Sequence, residues 1–208
     1  MYAKNTWEKY KDQLNEVFDY NEGYKHYISK NKTERACVKD SIKLAEEKGF
    51  KPLESFDTLK SGDKVYVTNR GKNIALFIIG KKPLTEGMRI LGAHIDSPRM
   101  DLKQNPLYES EGFTLADTHY YGGIKKYQWV TIPLSLYGVV CKKDGTVVDV
   151  VIGEDENDPV VGISDLLIHL SADQLDKKAA KVIEGENLDV TLGNMPLFGE
   201  EKDAVKAN

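Results

Sequence analysis

Apolar side chains in the first fifty residues recur at the three- and four-residue spacing of an α-helix. Between residues 7 and 30 they are separated by charged residues, which predicts an amphipathic helix. We expect the aromatic side chains of this helix to lie in the protein core rather than on a binding surface. The residues that carry the pattern are Trp7, Tyr10, Leu14, Val17 and Phe18.

A second helix is predicted after a break in this pattern at residues 31–34, a polar stretch that can supply an N-cap. Its end is marked by Lys48, a basic residue of the last turn, followed by Gly49 in the C-cap position. Two helices therefore precede any sheet. The apolar residues of the second helix are Cys37, Val38, Ile42, Leu44 and Ala45.

Strand patterns begin after the helices. Residues 64–68 alternate, residues 69–72 form a turn and residues 73–79 are a β-rich apolar run, which together predict a hairpin. Residues 88–96 then predict a buried strand that ends at Ser97 and Pro98.

The second half of the chain predicts more strands than helices. Residues 128–140 and 146–153 flank a turn at 142–145 and predict another hairpin. Residues 164–175 predict a helix with Ser164 as its N-cap, and the tail from Leu188 onward predicts a loop.

Composition narrows the function classes. The chain has 208 residues, of which 40% are hydrophobic and 30% charged, as in a globular protein. A net charge of −4 gives no cationic field for nucleic acid, and the two cysteines match neither a disulfide framework nor a thiolate zinc site. No apolar run approaches the roughly 20 residues that span a bilayer, and the charged start does not resemble a secretory signal. We expect a cytoplasmic protein without nucleic-acid or membrane partners.

His94 and Asp96 are the first polar residues of the predicted strand over 88–96. Because side chains alternate along a strand, both face the same side, with Ile95 on the other. A neutral imidazole is a common zinc ligand, and a carboxylate two residues away can orient the ring or approach the metal itself. The alternative is a strand-end histidine that only hydrogen-bonds a turn, and this short pattern leaves both interpretations open.

Four strings along the chain stand out together. They are L-G-A-H-I-D-S-P at 91–98 with Lys103 following, Y-Y-G-G-I at 120–124, G-E-D at 153–155 and I-S-D-L-L-I-H-L at 163–170. Taken in order, they resemble motifs of one family, the aspartyl aminopeptidase and aminopeptidase I family of zinc metallopeptidases. The resemblance covers essentially the whole chain from Trp7 and is closest to a bacterial branch of probable aminopeptidases that carries G-G-I-K-K-Y-Q-W-V at residues 122–130.

The resemblance implies an α/β fold in which residues 1–100 are the first part of a zinc aminopeptidase catalytic domain and residues 101–208 belong to an inserted β-rich dimerisation domain. It implies His94 and His169 as metal ligands and Asp96 as the catalytic-site residue that fixes the tautomer of His94. His169 in this family is also associated with a neighbouring subunit's substrate pocket. From the sequence alone, a histidine in an apolar helix such as His169 is more often a core or interface residue, and only the resemblance makes the functional interpretation equally favoured.

The activity implied by the resemblance is removal of N-terminal residues from peptides by metal-assisted hydrolysis at two zinc ions, in cytoplasmic homodimers that build larger assemblies. The family's further carboxylates and last histidine match nothing after Leu188, since His169 is the last histidine of the chain. We therefore expect an N-terminal portion that is inactive alone. The alternative is a non-catalytic dimerisation or binding module derived from such an enzyme.

Overall fold

The computed structural model describes residues 5–199 and 204–207. The contacts divide the chain into two compact units, Met1–Ser97 and Pro98–Asn208. The first unit combines helices with a small sheet, and the second is built mainly of strands. The chain is thus a mixed α/β protein, as the sequence predicts.

Three helices open the first unit: α1 (Thr6–Lys9), α2 (Leu14–Lys30) and α3 (Glu34–Glu47). The predicted first helix is present but interrupted by a 3₁₀ turn at Lys11–Gln13. The helix predicted next is confirmed as α3, which begins after Thr33, whose side chain accepts a hydrogen bond from the backbone N–H of Ala36.

The prediction that the aromatic side chains of the first helix are core residues is wrong. Trp7 is 60% exposed and Phe18 54% exposed, with their ring centroids 6.3 Å apart. The reason is that α2 contacts α3 through polar groups at its other end: Lys30 Nζ lies 2.8 Å from Asp40 Oδ1, and the Tyr27 hydroxyl lies 3.3 Å from Ser41 Oγ.

The sheet of the first unit has the order β1-β2-β3, with β1 (Lys51–Pro52) parallel to β2 (Lys64–Asn69) and β3 (Asn73–Ile78) antiparallel to it. The β2–β3 pair is the predicted hairpin. The core of this unit lies where α3 packs on the hairpin, and Val38 and Val65 are each 1% exposed.

The second unit contains a five-stranded sheet of order β4-β5-β10-β9-β6 and a separate two-stranded sheet, β7-β8. Short helices α4 to α6 lie between or after the strands. The elements are β4 (Arg99–Ser110), β5 (Phe113–Tyr121), β6 (Pro133–Leu134), β7 (Leu136–Cys141), β8 (Val147–Ile152), β9 (Val161–Gly162), α4 (Ala172–Leu175), α5 (Ala179–Val182), β10 (Val190–Gly193) and α6 (Ala204–Ala207).

A long hairpin, β4–β5, is the largest element that the sequence patterns did not predict. Its two-residue turn places Glu111 at φ 50° and Gly112 at φ 75°, the left-handed conformations of a tight hairpin turn. One face of β5 is buried through Thr114, Ala116 and Thr118. This face packs into the core of the second unit.

The predictions for the chain after residue 128 are partly confirmed. The β7–β8 pair is the predicted hairpin around 142–145. The tail prediction is wrong, because β10 pairs with both β5 and β9 and follows the fully buried Leu188. A four-residue strand of this kind is specified by its neighbours in the sheet rather than by its own sequence.

Candidate metal centre

Residues 88–98 have no regular secondary structure and belong to no sheet, so the prediction of a buried strand here is wrong. Ile90 is 82% exposed and the side chain of Leu91 is fully exposed. The apolar pattern is that of a buried strand, yet a strand is stable only when its backbone groups pair with a neighbour. The described residues supply no such neighbour to this segment.

Within this segment His94 and Asp96 are brought together. The His94 Nδ1 atom lies 3.1 Å from Asp96 Oδ1 and 3.1 Å from the Asp96 backbone oxygen. In the tautomer with the proton on Nδ1, the ring donates to Asp96 and its Nε2 lone pair is left for a metal. The His94 side chain is 86% exposed, so that nitrogen is accessible.

His169, the other predicted metal ligand, lies in the second unit on a 3₁₀ turn, Ile168–Leu170, and is exposed. The predicted helix over 164–175 is therefore wrong except for its end, α4. Asp165 explains the difference, because its carboxylate accepts hydrogen bonds from the backbone N–H of Leu166 and from Gln174 Nε2. Such a local side-chain bond competes with helix formation.

The side chains in and around this segment fit a zinc ion only in part. His94, with its imidazole held by Asp96, offers one donor of the kind found in protein zinc sites. Catalytic zinc sites use three protein ligands. In the part of the chain that the structure describes, no three His, Cys, Asp or Glu side chains are grouped so that they could hold a metal ion.

A cluster that the sequence patterns missed lies at the start of β4, three residues after Asp96. The Arg99 guanidinium lies 4.0 Å from the centroid of the Tyr121 ring and donates to Asp101 Oδ1 over 2.7 Å. Arg99 and Tyr121 are paired across the hairpin, and Gly122 follows at φ 81° with Pro98 close by. The tight turn at Glu111-Gly112 does not by itself predict this pairing, because the register of the hairpin shifts between Leu102 and Leu107.

The second unit also carries an open cavity of about 660 Å³. Its walls come from the face of the five-stranded sheet and are mainly apolar, including Phe113, Ile132 and Val161. Neither His94, Asp96 nor His169 lines it. This cavity is therefore separate from the candidate metal ligands.

The other histidines and cysteines that the structure describes form no competing site. Cys37 is buried and Cys141 exposed, and both are free thiols. His26 is exposed on α2, and His119 stacks on Tyr120 with ring centroids 5.7 Å apart. Among the described helices, none is long and apolar enough to cross a bilayer.

Comparison with known proteins places these features in a family. The profile of the family described as Aminopeptidase I zinc metalloprotease (M18) matches residues 27–207. A relative from Clostridium acetobutylicum, named "Probable M18 family aminopeptidase 1", is 59% identical over an alignment of 211 residues that covers 99% of this chain and 45% of the relative. The chain therefore spans less than half the length of this curated relative.

Two solved structures agree with this match. The aminopeptidase (M18 family) from Thermotoga maritima matches with a TM-score of 0.91 at 45% identity. The match covers 100% of this chain and 45% of the Thermotoga maritima chain. The aminopeptidase I from Clostridium acetobutylicum has a TM-score of 0.84 at 57% identity, with coverages of 100% and 47%. This chain therefore resembles both aminopeptidases in sequence as well as in fold.

Proposed function

The chain belongs to the aminopeptidase I (M18) family of zinc metalloproteases, and from this premise we propose that it provides the first part of a zinc-dependent aminopeptidase. Residues 1–100 act as the beginning of the catalytic domain, and residues 101–208 act as an inserted β-rich dimerisation domain. The division of contacts between Ser97 and Pro98 supports this boundary.

The observation that carries the proposal is the contact between His94 and Asp96. In the proposed site His94 binds zinc through Nε2, and Asp96 accepts the Nδ1 proton, which fixes the tautomer and the direction of the ring. The segment is exposed on both sides of these residues. It is therefore accessible to further ligands.

The complete site holds two zinc ions in this proposal. When it is present, zinc would polarise the carbonyl group of the substrate and lower the pKa of a bound water. Of the described residues, His94 contributes one ligand in this proposal. His169 is proposed as a further histidine of an active site, binding metal or substrate.

The substrates of the assembled protein are proposed to be peptides, from which it removes N-terminal residues in the cytoplasm. We also propose that it works as a homo-oligomer. The support within the chain is the amount of apolar surface that the described residues leave uncovered, such as Leu91, Val160 and Phe198, which are 102%, 77% and 90% exposed.

A second candidate function is a non-catalytic dimerisation or binding module. The observation that favours it is the lack of a three-ligand metal group among residues 5–199 and 204–207. If this second candidate is correct, the β-rich unit binds a partner, and the chain neither takes up zinc nor hydrolyses peptides under any condition.

Complementation distinguishes the two candidates. The chain is produced together with the part of the Clostridium acetobutylicum relative that the match leaves out, to give the complemented pair. The aminopeptidase proposal predicts hydrolysis of aminoacyl-nitroanilides by the pair, by neither part alone, and not by a pair that carries His94→Ala.

The matched control is the relative itself, split at the same place. If the split relative is active and the complemented pair is not, the aminopeptidase proposal is wrong and the binding module is favoured.

A further inference from the structure

Basic residues are concentrated in the first unit, although the chain as a whole is acidic. Residues 1–97 contain 18 lysines and arginines and 14 aspartates and glutamates, a net charge of +4. Residues 98–208 contain 11 basic and 19 acidic residues, a net charge of −8. The overall charge of −4 is therefore the sum of two regions of opposite sign, and a division of this kind directs the search for an interaction surface to the basic region.

One face of α3 carries three cations in a single stripe. Arg35, Lys39 and Lys43 follow each other at intervals of four residues, so their side chains lie on the same side of the helix. Successive members are about 6 Å apart along the helix axis. Lys39 and Lys43 are exposed and Arg35 is half-buried. Like charges at this spacing destabilise a helix, whereas a glutamate at one of these positions would stabilise it.

Two further cations lie in the turn that joins β2 to β3. They are Arg70 and Lys72, both exposed, and the guanidinium of Arg35 donates from Nη1 to the backbone oxygen of Arg70 over 3.0 Å. Gly71 lies against the same guanidinium, since a Cβ at this position would be 3.2 Å from Nη1. The helix stripe and the turn therefore form one surface, which is termed the basic patch. It consists of Arg35, Lys39, Lys43, Arg70 and Lys72.

Arg70 occupies a position where its residue type is unfavourable. Its φ of 53° is followed by a φ of 63° at Gly71, the pair of left-handed conformations of a tight hairpin turn. Such a turn favours Asn or Asp before the glycine, because the side chain of most other residues is strained at positive φ. Residues that reduce stability in both α3 and this turn, and that each add a cation, are typical of functional positions.

The carboxylate next to the stripe on α3 is already bound elsewhere. Asp40 accepts from Lys30 Nζ through Oδ1 over 2.8 Å and from Asn31 Nδ2 through Oδ2 over 3.0 Å. The cations of the patch therefore face solvent with their charge in place. Four of them form no salt bridge in the part of the chain that the structure describes, namely Arg35, Lys43, Arg70 and Lys72.

We propose that the basic patch binds an extended acidic segment of a partner protein. Alternate side chains of an extended peptide lie about 7 Å apart on one side, close to the spacing of about 6 Å between the cations of the stripe. A segment with carboxylates at every second position thus places one carboxylate against each cation of α3. The next carboxylate reaches the turn at residues 69–72.

A nucleic acid fits this surface less well. The basic patch contains no aromatic side chain on which a base could stack, and its stripe extends only about 12 Å along α3. The net charge of −4 repels a phosphate backbone that continues beyond the patch, whereas a short peptide segment stays on it. The inference goes beyond the proposed function, because it requires neither zinc nor hydrolysis and neither His94 nor Asp96 belongs to the patch.

Fluorescence anisotropy with a labelled, N-acetylated peptide tests the proposal. The peptide carries four glutamates that alternate with serines, and a second peptide with glutamines in their place is the control. Acetylation keeps an aminopeptidase from shortening the probe. We expect the 208-residue chain to bind the glutamate peptide and not the glutamine peptide. Binding should be tight enough to measure at about 20 mM salt and weaker at about 150 mM salt.

Arg70→Asn separates a binding role from a structural one. Because asparagine is tolerated at positive φ, this variant should be at least as stable as the unmodified chain, yet bind the peptide about two- to fivefold more weakly. Combined with Lys39→Gln and Lys43→Gln, it should weaken binding by at least about tenfold. Lys178→Gln removes one positive charge from an exposed residue of the second unit and should leave the dissociation constant unchanged.

The proposal is overturned if the unmodified chain does not bind the glutamate peptide, or if it binds both peptides equally. It is also overturned if the triple variant, shown to be folded by circular dichroism, binds like the unmodified chain. Tighter binding of an oligothymidylate than of the peptide would make nucleic acid the ligand and equally overturn it.

The complemented pair provides the last arm of the test. We expect it to bind the glutamate peptide as the 208-residue chain does, and a loss of binding there would overturn the proposal, because the rest of the enzyme would then cover the patch. An inactive pair that still binds the peptide through the basic patch would count against the aminopeptidase proposal and leave this inference standing.

Discussion

The Nδ1 atom of His94 lies 3.1 Å from Asp96 Oδ1, across a separation of two residues in the chain. The same nitrogen lies 3.1 Å from the backbone oxygen of Asp96. The ring is thus held at one nitrogen by a single residue, through both its side chain and its backbone. This double contact explains how an exposed histidine can keep its other nitrogen in a defined direction.

Asp96→Asn should weaken zinc binding by the complemented pair without abolishing it. The amide loses the negative charge that makes the imidazole more basic, but the backbone oxygen of Asp96 still accepts the Nδ1 proton. A loss of about 10- to 100-fold is expected for such a change. Competition with a chelator of known affinity measures it, and an affinity equal to that of the unmodified pair would remove Asp96 from the site.

Tyr108 should make the second unit sensitive to alkali. Its pKa is raised to about 12, by burial and then by the hydrogen bond to Asp189, in which the hydroxyl donates to Oδ2 over 2.6 Å. Since the pKa is higher in the folded than in the unfolded state, this stabilisation is complete below about pH 10 and is lost as the pH rises towards 12.

The measurement is urea unfolding as a function of pH for the unmodified chain and for Tyr108→Phe. At neutral pH the variant should be less stable by about 1–3 kcal/mol, because the half-buried carboxylate of Asp189 loses the hydroxyl that it binds. The difference should shrink between pH 10 and pH 12. A constant difference across that range would show that Tyr108 does not ionise on unfolding there.

Thr33→Ala should destabilise the first unit by about 1 kcal/mol, because α3 loses the side chain that caps its N-terminus. Thr33→Ser keeps the hydroxyl and serves as the matched control, with little expected change. Denaturant unfolding followed by circular dichroism measures both variants. Equal losses for Ala and Ser would indicate that the methyl group rather than the cap matters.

Leu188→Ala should lower the free energy of unfolding by about 2–5 kcal/mol, since this side chain is 0% exposed in the core of the second unit. Leu175→Ala is the matched control, because Leu175 is 62% exposed and the same truncation there leaves no cavity. Thermal unfolding of the two variants should differ clearly. Similar melting temperatures would contradict the placement of Leu188 in the core.

Local signals in the sequence predicted the local elements. Thr33 lies in the polar break that was expected to cap the second helix, and Gly49, in the predicted C-cap position, has φ 82°. Both hairpins that were predicted from alternation and turn residues, β2–β3 and β7–β8, are present. These features depend on residues a few positions apart, and short-range patterns therefore identify them.

Elements that depend on distant residues were not predicted. The apolar run at 88–96 has the composition of a buried strand, but its pairing requires neighbours that the described residues do not supply. β10 is short and becomes a central strand only because β5 and β9 flank it. Asp165 redirects the segment before His169 away from a helix through hydrogen bonds that hydrophobic spacing does not show.

The same contrast between short-range and long-range determinants applies to the candidate site. His94 and Asp96 are two residues apart, so the sequence alone placed them together, and the structure has them in hydrogen-bond contact. The Arg99–Tyr121 contact required the register of a hairpin that was not predicted. The role of His169 stays a prediction, because it depends on groups from beyond its own turn.

The zinc content of the complemented pair tests the central claim most directly. Elemental analysis after dialysis against metal-free buffer compares the unmodified pair with pairs that carry His94→Ala or, as a control, His26→Ala, which changes an exposed histidine on α2. The account predicts bound zinc in the unmodified and His26→Ala pairs and a loss of zinc with His94→Ala. Full zinc content in the His94→Ala pair would contradict it.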